Sequence, residues 1–124
     1  MKILIVDDEE MIRGVLKEYV EFEGNEAFEA SDGMEAVRMC KDNDYDVVLM
    51  DIMMPGIDGL EATRQIRALD REDAATTPII AVSANTFADD RRLSREAGMD
   101  AHLSKPVSSQ ELVEALAHIA ADAS

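Results

Sequence analysis

Cysteine, histidine and basic residues are all scarce in this chain. Of 124 residues, one is cysteine, two are histidine and 12 are lysine or arginine, against 27 aspartates and glutamates. A single cysteine, Cys40, rules out an internal disulfide and fits a reducing compartment; set in the middle of a helical pattern, it reads as core filling. A net charge of -15 repels phosphate backbones, which argues against direct nucleic-acid binding and would draw a cation or a basic partner instead. The imbalance is uneven, because residues 1–62 hold most of the acids and most arginines follow Thr63. No apolar run approaches the roughly 18 residues of a membrane span. Met1-Lys2-Ile3 enters a strand with no secretory h-region, so no membrane association and a cytoplasmic location are expected. Internal repeats, linkers and low-complexity tracts are missing too. One domain over residues 1–124, with no output domain, is the expected organisation.

What the chain does contain is a set of short apolar runs that end in polar residues. Val47-Val48-Leu49-Met50 has no polar face, the pattern of a strand buried on both sides in a parallel sheet, and it delivers Asp51 to its end. Lys2-Ile3-Leu4-Ile5-Val6 is a second such run and leads into Asp7-Asp8-Glu9-Glu10. Glu26 to Ala30 alternates and reads as a half-exposed edge strand. Pro78 to Val82 ends at Ser83, and Asp100 to Ser104 ends at Lys105-Pro106. Helical spacing lies between these runs. Ile12, Val15, Leu16, Tyr19 and Val20 form one inward face before Gly24-Asn25; Ala36, Val37 and Cys40 form the next. Leu60, Thr63 and Ile66 follow the loop Pro55 to Gly59, and a polar connection spans residues 70–77. Thr86 to Glu96 is a weaker helix, with Phe87 and Leu93 its large apolar residues. The last helix, capped by Ser108 or Ser109, buries Leu112, Leu116 and Ile119. Five strands alternating with five helices, joined by right-handed crossovers, predict an α/β three-layer doubly wound domain.

In a parallel sheet the ends of the first, third, fourth and fifth strands share one edge. That edge would gather Asp7, Asp8, Asp51, Ser83 and Lys105, although they span almost a hundred positions. Singly, each has a plain structural role: acids at a helix start satisfy free amides and the macrodipole, as Glu9 and Glu10 do, and a serine or lysine can belong to a turn. Together, three carboxylates repel one another unless a cation or ligand offsets them. An oxygen-only set selects a hard cation, and an incomplete cage suits Mg²⁺ that keeps waters and meets a phosphoryl oxygen. Lys105 and Ser83 would contact the remaining phosphoryl oxygens.

Asp7-Asp8, Asp51 with Met54-Pro55 and Asp58-Gly59, Ser83-Ala84, and Lys105-Pro106 occur in the order of a known family. Over essentially its whole length the chain resembles the receiver domain of two-component response regulators. The resemblance implies a flavodoxin-like (βα)5 fold with a five-stranded parallel sheet in the order 2-1-3-4-5. It implies that Asp51 accepts a phosphoryl group from a phosphohistidine. Mg²⁺ would be held by Asp8, Asp51 and the backbone carbonyl of Met53, with Asp7 acting through water. The implied partners are a sensor histidine kinase or histidine phosphotransfer domain and a downstream protein target, with a phosphorylation-dependent homodimer as one form of readout. The domain would catalyse its own phosphorylation and dephosphorylation rather than turn over a separate substrate. Ser83 would move toward the phosphoryl group, and the side chain three positions before Lys105 would rotate inward, changing the face of the fourth helix, fifth strand and fifth helix. That side chain is His102, where most members carry Tyr or Phe; a switch and a half-buried strand histidine packed on the fourth helix are both open readings. His118 reads as a surface residue. Met53 and Asn85 resemble the variable positions that flank the acceptor and set hydrolysis rate, and Lys105-Pro106 resembles the family's cis peptide. Residues 97–106 look like receivers of hybrid sensor kinases, whereas Met1-Lys2-Ile3-Leu4 looks like a free-standing regulator.

Other chemistries fit less well. A flavin module would need a Ser, Thr or Gly-rich phosphate loop after the first strand, where this chain has four acids. A phosphatase of the haloacid dehalogenase type would want a second Asp at the position of Met53. The alternative from a different class is a pseudo-receiver that acts, without phosphorylation, as a protein-interaction module.

Overall fold

Residues 3–6 and 47–50 lie in adjacent strands and are almost wholly shielded from solvent. Side chains along a strand point alternately to its two faces, so a run without polar residues demands cover on both. Helices on either side provide it. The computed structural model describes residues 1–70, 76–84 and 88–123. The elements are β1 (Lys2–Val6), α1 (Glu10–Phe22), β2 (Glu26–Ala30), α2 (Gly33–Asp42), β3 (Val47–Asp51), α3 (Gly59–Arg67), β4 (Ile79–Ser83), α4 (Ala88–Ala97), β5 (Ala101–Ser104) and α5 (Ser109–Ala123). The five strands are parallel and ordered β2-β1-β3-β4-β5, as expected.

Alternation divides the core into two layers. Leu4, Val6, Val48, Met50, Ile79 and Ala81 pack with Ala36 and Cys40 of α2 and Ala62 and Ile66 of α3. Ile3, Ile5, Val47, Leu49, Ile80 and Val82 pack with Leu16 and Val20 of α1 and Leu112 and Leu116 of α5. Cys40 is therefore the core residue that its helical setting indicated.

Local chemistry starts and stops the helices. Asp32 accepts a bond from Glu35 N at 2.8 Å to open α2, and Asp58 accepts one from Glu61 N at 2.8 Å to open α3. Of the two serines before α5, Ser108 is the cap: it accepts from Glu111 N at 3.1 Å while its hydroxyl donates to Glu111 at 3.0 Å. Gly24 ends α1 with φ 83°, a conformation that favours glycine. The start of β5 is tied down by Arg67. Its guanidinium donates to Gly98 O and Thr77 O and pairs with Asp100 at 2.9 Å, and Asp100 in turn accepts from Ile79 N at 2.9 Å.

Two expectations are corrected in detail. Val15 does not face the core: 41% of it is exposed, because Leu16 and Val20 already fill the stripe against the sheet and Val15 lies at its flank. Asp100 lies before β5 rather than inside it, its carboxylate engaged with Arg67 and Ile79. Phe87, Asn85 and residues 71–75 of the polar connection fall outside the described residues, as does Thr86.

Candidate functional site

The carboxyl edge of the sheet brings the strand-end residues together. Asp7, Asp8 and Asp51 each place a carboxylate oxygen within 4.8 Å of the others; Asp7 and Asp51 are buried and Asp8 faces solvent. Asp7 leaves β1 as the residue in which the chain turns toward α1. Its N–H donates to Ala30 O at 3.2 Å, and its Oδ1 accepts from Glu9 N at 2.8 Å. The Glu9 side chain, expected to satisfy free amides at this helix start, makes no capping hydrogen bond, because it is the N-cap residue and its carboxylate does not reach back to the following amides. Asp51, at the end of the fully buried β3, is 2% exposed, and its Oδ1 accepts from Met53 N at 3.3 Å.

Lys105 reaches this pair from the other side. Its backbone N–H donates to Ser83 O at 2.9 Å, tying the end of β5 to that of β4. Its ammonium stands 3.3 Å from Asp51 Oδ1 and 3.1 Å from Asp7 Oδ2. The second contact is an ion pair without hydrogen-bond alignment, so the buried Asp7 Oδ2 has no hydrogen bond among the described residues. The Lys105–Pro106 peptide is cis. Ser83 is buried at the tip of β4, in register with Ser104 of β5.

The electrostatics follow from this crowding. Burial and the neighbouring Asp7 charge push the Asp51 carboxyl up to about 6, and Lys105 pulls the other way without cancelling them. Burial alone would lower the Lys105 ammonium, but its contacts with Asp7 and Asp51 outweigh that and raise it. One lysine facing three carboxylates leaves excess negative charge in an oxygen-only pocket. That oxygen-only donor set fits a hard divalent cation.

Met50 and Met54 are buried, whereas Met53 is 67% exposed on the loop after Asp51. His102 is half-buried on β5, beside Ala81 of β4, and lies away from the carboxylate group. It lines two surface clefts, one of about 440 Å³ with Ser94, Arg95 and Met99, the other of about 470 Å³ with Glu111, Glu114 and His118. His118 is exposed, as expected.

Two residues support the site in roles that the sequence did not assign, Gly59 standing there only as part of the Asp58-Gly59 motif and Arg13 not at all. Gly59 N donates to Ile52 O at 2.9 Å, and a Cβ at Gly59 would collide with the carbonyl of Asp51 and lie 2.8 Å from Ile52 Cα. A glycine directly after the capping Asp58 was the available signal. Arg13 Nη1 donates to Asp7 O at 2.8 Å. An arginine in the first turn of a helix can reach back over the loop before it, since helical side chains tilt toward the N-terminus.

The family described as the response regulator receiver domain matches residues 3–117. This chain belongs to that family. Over 112 residues the receiver is 43% identical to the transcriptional regulatory protein ResD of Bacillus subtilis (strain 168), covering 90% of this chain and 45% of that protein. It is 39% identical to SrrA of Staphylococcus aureus, covering 90% of this chain and 44% of that protein. The chain thus spans less than half the length of these relatives. Among solved structures, the receiver domain of sensor histidine kinase PA1611 from Pseudomonas aeruginosa PAO1 superposes with a TM-score of 0.87 at 37% identity, covering 94% of both chains; a magnesium ion is coordinated in its active-site cleft. Chemotaxis protein CheY4 of Vibrio cholerae gives a TM-score of 0.89 at 27% identity, covering 95% of this chain and 97% of that one. As a receiver domain, the molecule is a phosphoacceptor module, and it carries the Asp7, Asp8 and Asp51 group at the carboxyl edge of its sheet. Among the described residues no helix is long and apolar enough to cross a membrane.

Proposed function

We propose that Asp51 is the acceptor of a phosphoryl group donated by a phosphohistidine on a partner kinase or phosphotransfer protein. The observation that carries this reading is the position of Asp51: a buried carboxylate, 3.3 Å from the Lys105 ammonium and within a three-carboxylate group. An Asp51 carboxylate oxygen forms a bond to phosphorus while the bond from phosphorus to the histidine nitrogen breaks, and the electron pair stays on the imidazole, which takes up a proton. Such a transfer depends on positioning and charge neutralisation more than on covalent assistance. Lys105 meets the charge on the phosphoryl oxygens, and the Ser83 hydroxyl donates to one of them. Asp8, Asp51 and the Met53 carbonyl would hold Mg²⁺, with Asp7 acting through water. When bound, the cation supplies charge neutralisation at the transferring group. Water later cleaves the acyl phosphate, so the domain resets itself without turning over a separate substrate.

Residues 1–124 act as one receiver unit of the cytoplasm, read by a protein target. The readout runs from Ser83 to the face formed by α4, β5 and α5, where His102 lies between two clefts lined from α4 and α5. The deciding experiment is the intact mass after incubation with acetyl phosphate, with and without Mg²⁺, for the wild type and Asp51→Asn. A Mg²⁺-dependent gain of one phosphoryl group, absent in the variant, is expected. Modification of the variant to the same extent would overturn the assignment of Asp51. No gain in the wild type, either with acetyl phosphate or with a phosphorylated histidine phosphotransfer domain, would favour a pseudo-receiver.

A further inference from the structure

Arg13 is held in an unusual setting for a residue in the first turn of a helix. Only 15% of its side chain is exposed, Nε pairs with Glu29 Oε1 at 3.2 Å, and Nη1 donates to Asp7 O at 2.8 Å. Glu29 belongs to the edge strand β2, in register with Ile5 of β1, and Lys17 steadies its other oxygen at 3.6 Å. The neighbouring residue of β2, Ala30, accepts the N–H of Asp7. Asp7 is therefore gripped at both ends of its backbone by β2: directly at its N–H, and through Glu29 and Arg13 at its carbonyl.

That carbonyl is half of the peptide linking Asp7 to Asp8. Releasing that carbonyl would free the backbone at Asp7 and Asp8 to shift, and with it the distances from their carboxylates to Asp51. We propose that Arg13 is a positioning residue for the acidic cation site, fixing the Asp7–Asp8 peptide so that both carboxylates face Asp51. Arginine suits the task because its rigid fork donates in two directions at once, to Glu29 and to the carbonyl, where a lysine ammonium would be a point charge. The inference rests on the cation-site reading above and adds a residue that touches neither cation nor phosphoryl group.

Its sign separates positioning from simple charge. Arg13 is a cation near an acidic cluster, so if charge were its only effect, removing it would tighten Mg²⁺ binding. Positioning predicts the opposite. The experiment is isothermal titration of Mg²⁺ into the unphosphorylated protein, with urea unfolding in parallel, for wild type, Arg13→Ala, Arg13→Lys and Lys17→Ala. Loss of a group that orients metal ligands typically weakens binding about tenfold or more, and a rise in Kd of that order is expected for Arg13→Ala. Arg13→Lys keeps the charge but lacks the fork, and a rise of roughly threefold or more is expected. Lys17→Ala removes the same charge from the same helix and, because its 3.6 Å contact with Glu29 is half-exposed and weak, should raise Kd by less than Arg13→Lys does.

Tighter or equal binding in Arg13→Ala overturns the proposal. Should that variant fail to fold, Arg13→Lys decides alone, and wild-type affinity in it is the overturning result. A wild type that binds no Mg²⁺ removes the cation-site reading itself, and this inference with it. Wild-type binding with unaltered Arg13 variants removes the inference only.

Discussion

The ammonium of Lys105 lies 3.3 Å from Asp51 Oδ1, and both side chains are withdrawn from solvent, at 16% and 3% exposure. The lysine comes from the loop after β5, the aspartate from the end of β3, and β4 lies between those strands. This pair sets the charge state of the acceptor. Burial and Asp7 favour a protonated Asp51; Lys105 opposes them. The outcome is a carboxyl near 6, still ionised at neutral pH and therefore nucleophilic.

Asp51→Asn is expected to stabilise the metal-free fold at pH 7. With its carboxyl raised from 3.8 to about 6, Asp51 holds its proton more tightly in the folded state than in the unfolded chain. Wild-type stability should therefore fall as pH rises from about 4 to about 6, by roughly 1 to 3 kcal/mol. The asparagine variant has no such proton to lose, so its advantage should grow across that window, persist above it and vanish below about pH 4. Urea unfolding without Mg²⁺ at several pH values measures the difference. A less stable variant at pH 7 would count against the crowded-carboxylate account.

Lys105→Met removes the one ammonium between Asp7 and Asp51. The Asp51 carboxyl should titrate above its wild-type value, since Lys105 lowers it. Loss of a preorganised charge at a reacting oxygen typically costs about a hundredfold or more in rate, and acetyl phosphate labelling should slow by that order. Carboxyl NMR and timed intact mass read the two effects separately; an unchanged titration would contradict the pairing.

Gly59→Ala should unfold at lower urea and label more slowly. Its new methyl would meet the Asp51 carbonyl and Ile52 Cα, both backbone atoms that cannot step aside as a flexible side chain would. Overpacking of this kind costs roughly 1 to 3 kcal/mol. Circular dichroism in urea gives the magnitude. Wild-type stability would show that the loop after β3 can relax.

Met53→Asn tests water access. Met53 is 67% exposed on the loop after Asp51, and its backbone N–H donates to Asp51 Oδ1; the role under test is shielding of the acceptor from water by its thioether. A smaller polar side chain should admit and orient the attacking water, shortening the lifetime of the aspartyl phosphate. Phosphoryl loss timed by intact mass should be faster than in wild type, and an equal or longer lifetime would discard the shielding role.

Much of the architecture was legible in local pattern, because strand and helix periods are properties of neighbouring residues. The unbroken apolar runs at residues 3–6 and 47–50 could be covered only from both sides, which requires helices on two faces and a parallel sheet. Once the strands are parallel, Asp7, Asp8, Asp51, Ser83 and Lys105 must meet at one edge. What sequence could not decide depends on distances between segments remote in the chain. Whether Val15 or only its neighbours reach the sheet is a matter of how α1 is rolled, and only the geometry shows that Ser108 rather than Ser109 accepts the Glu111 N–H at the start of α5. The Arg13–Glu29 contact crosses from α1 to β2, and neither residue's spacing announces it. The raised carboxyl of Asp51 is likewise a tertiary fact. Burial and the proximity of Asp7 and Lys105 create it, and charge interactions depend on separation and dielectric rather than on position along the chain.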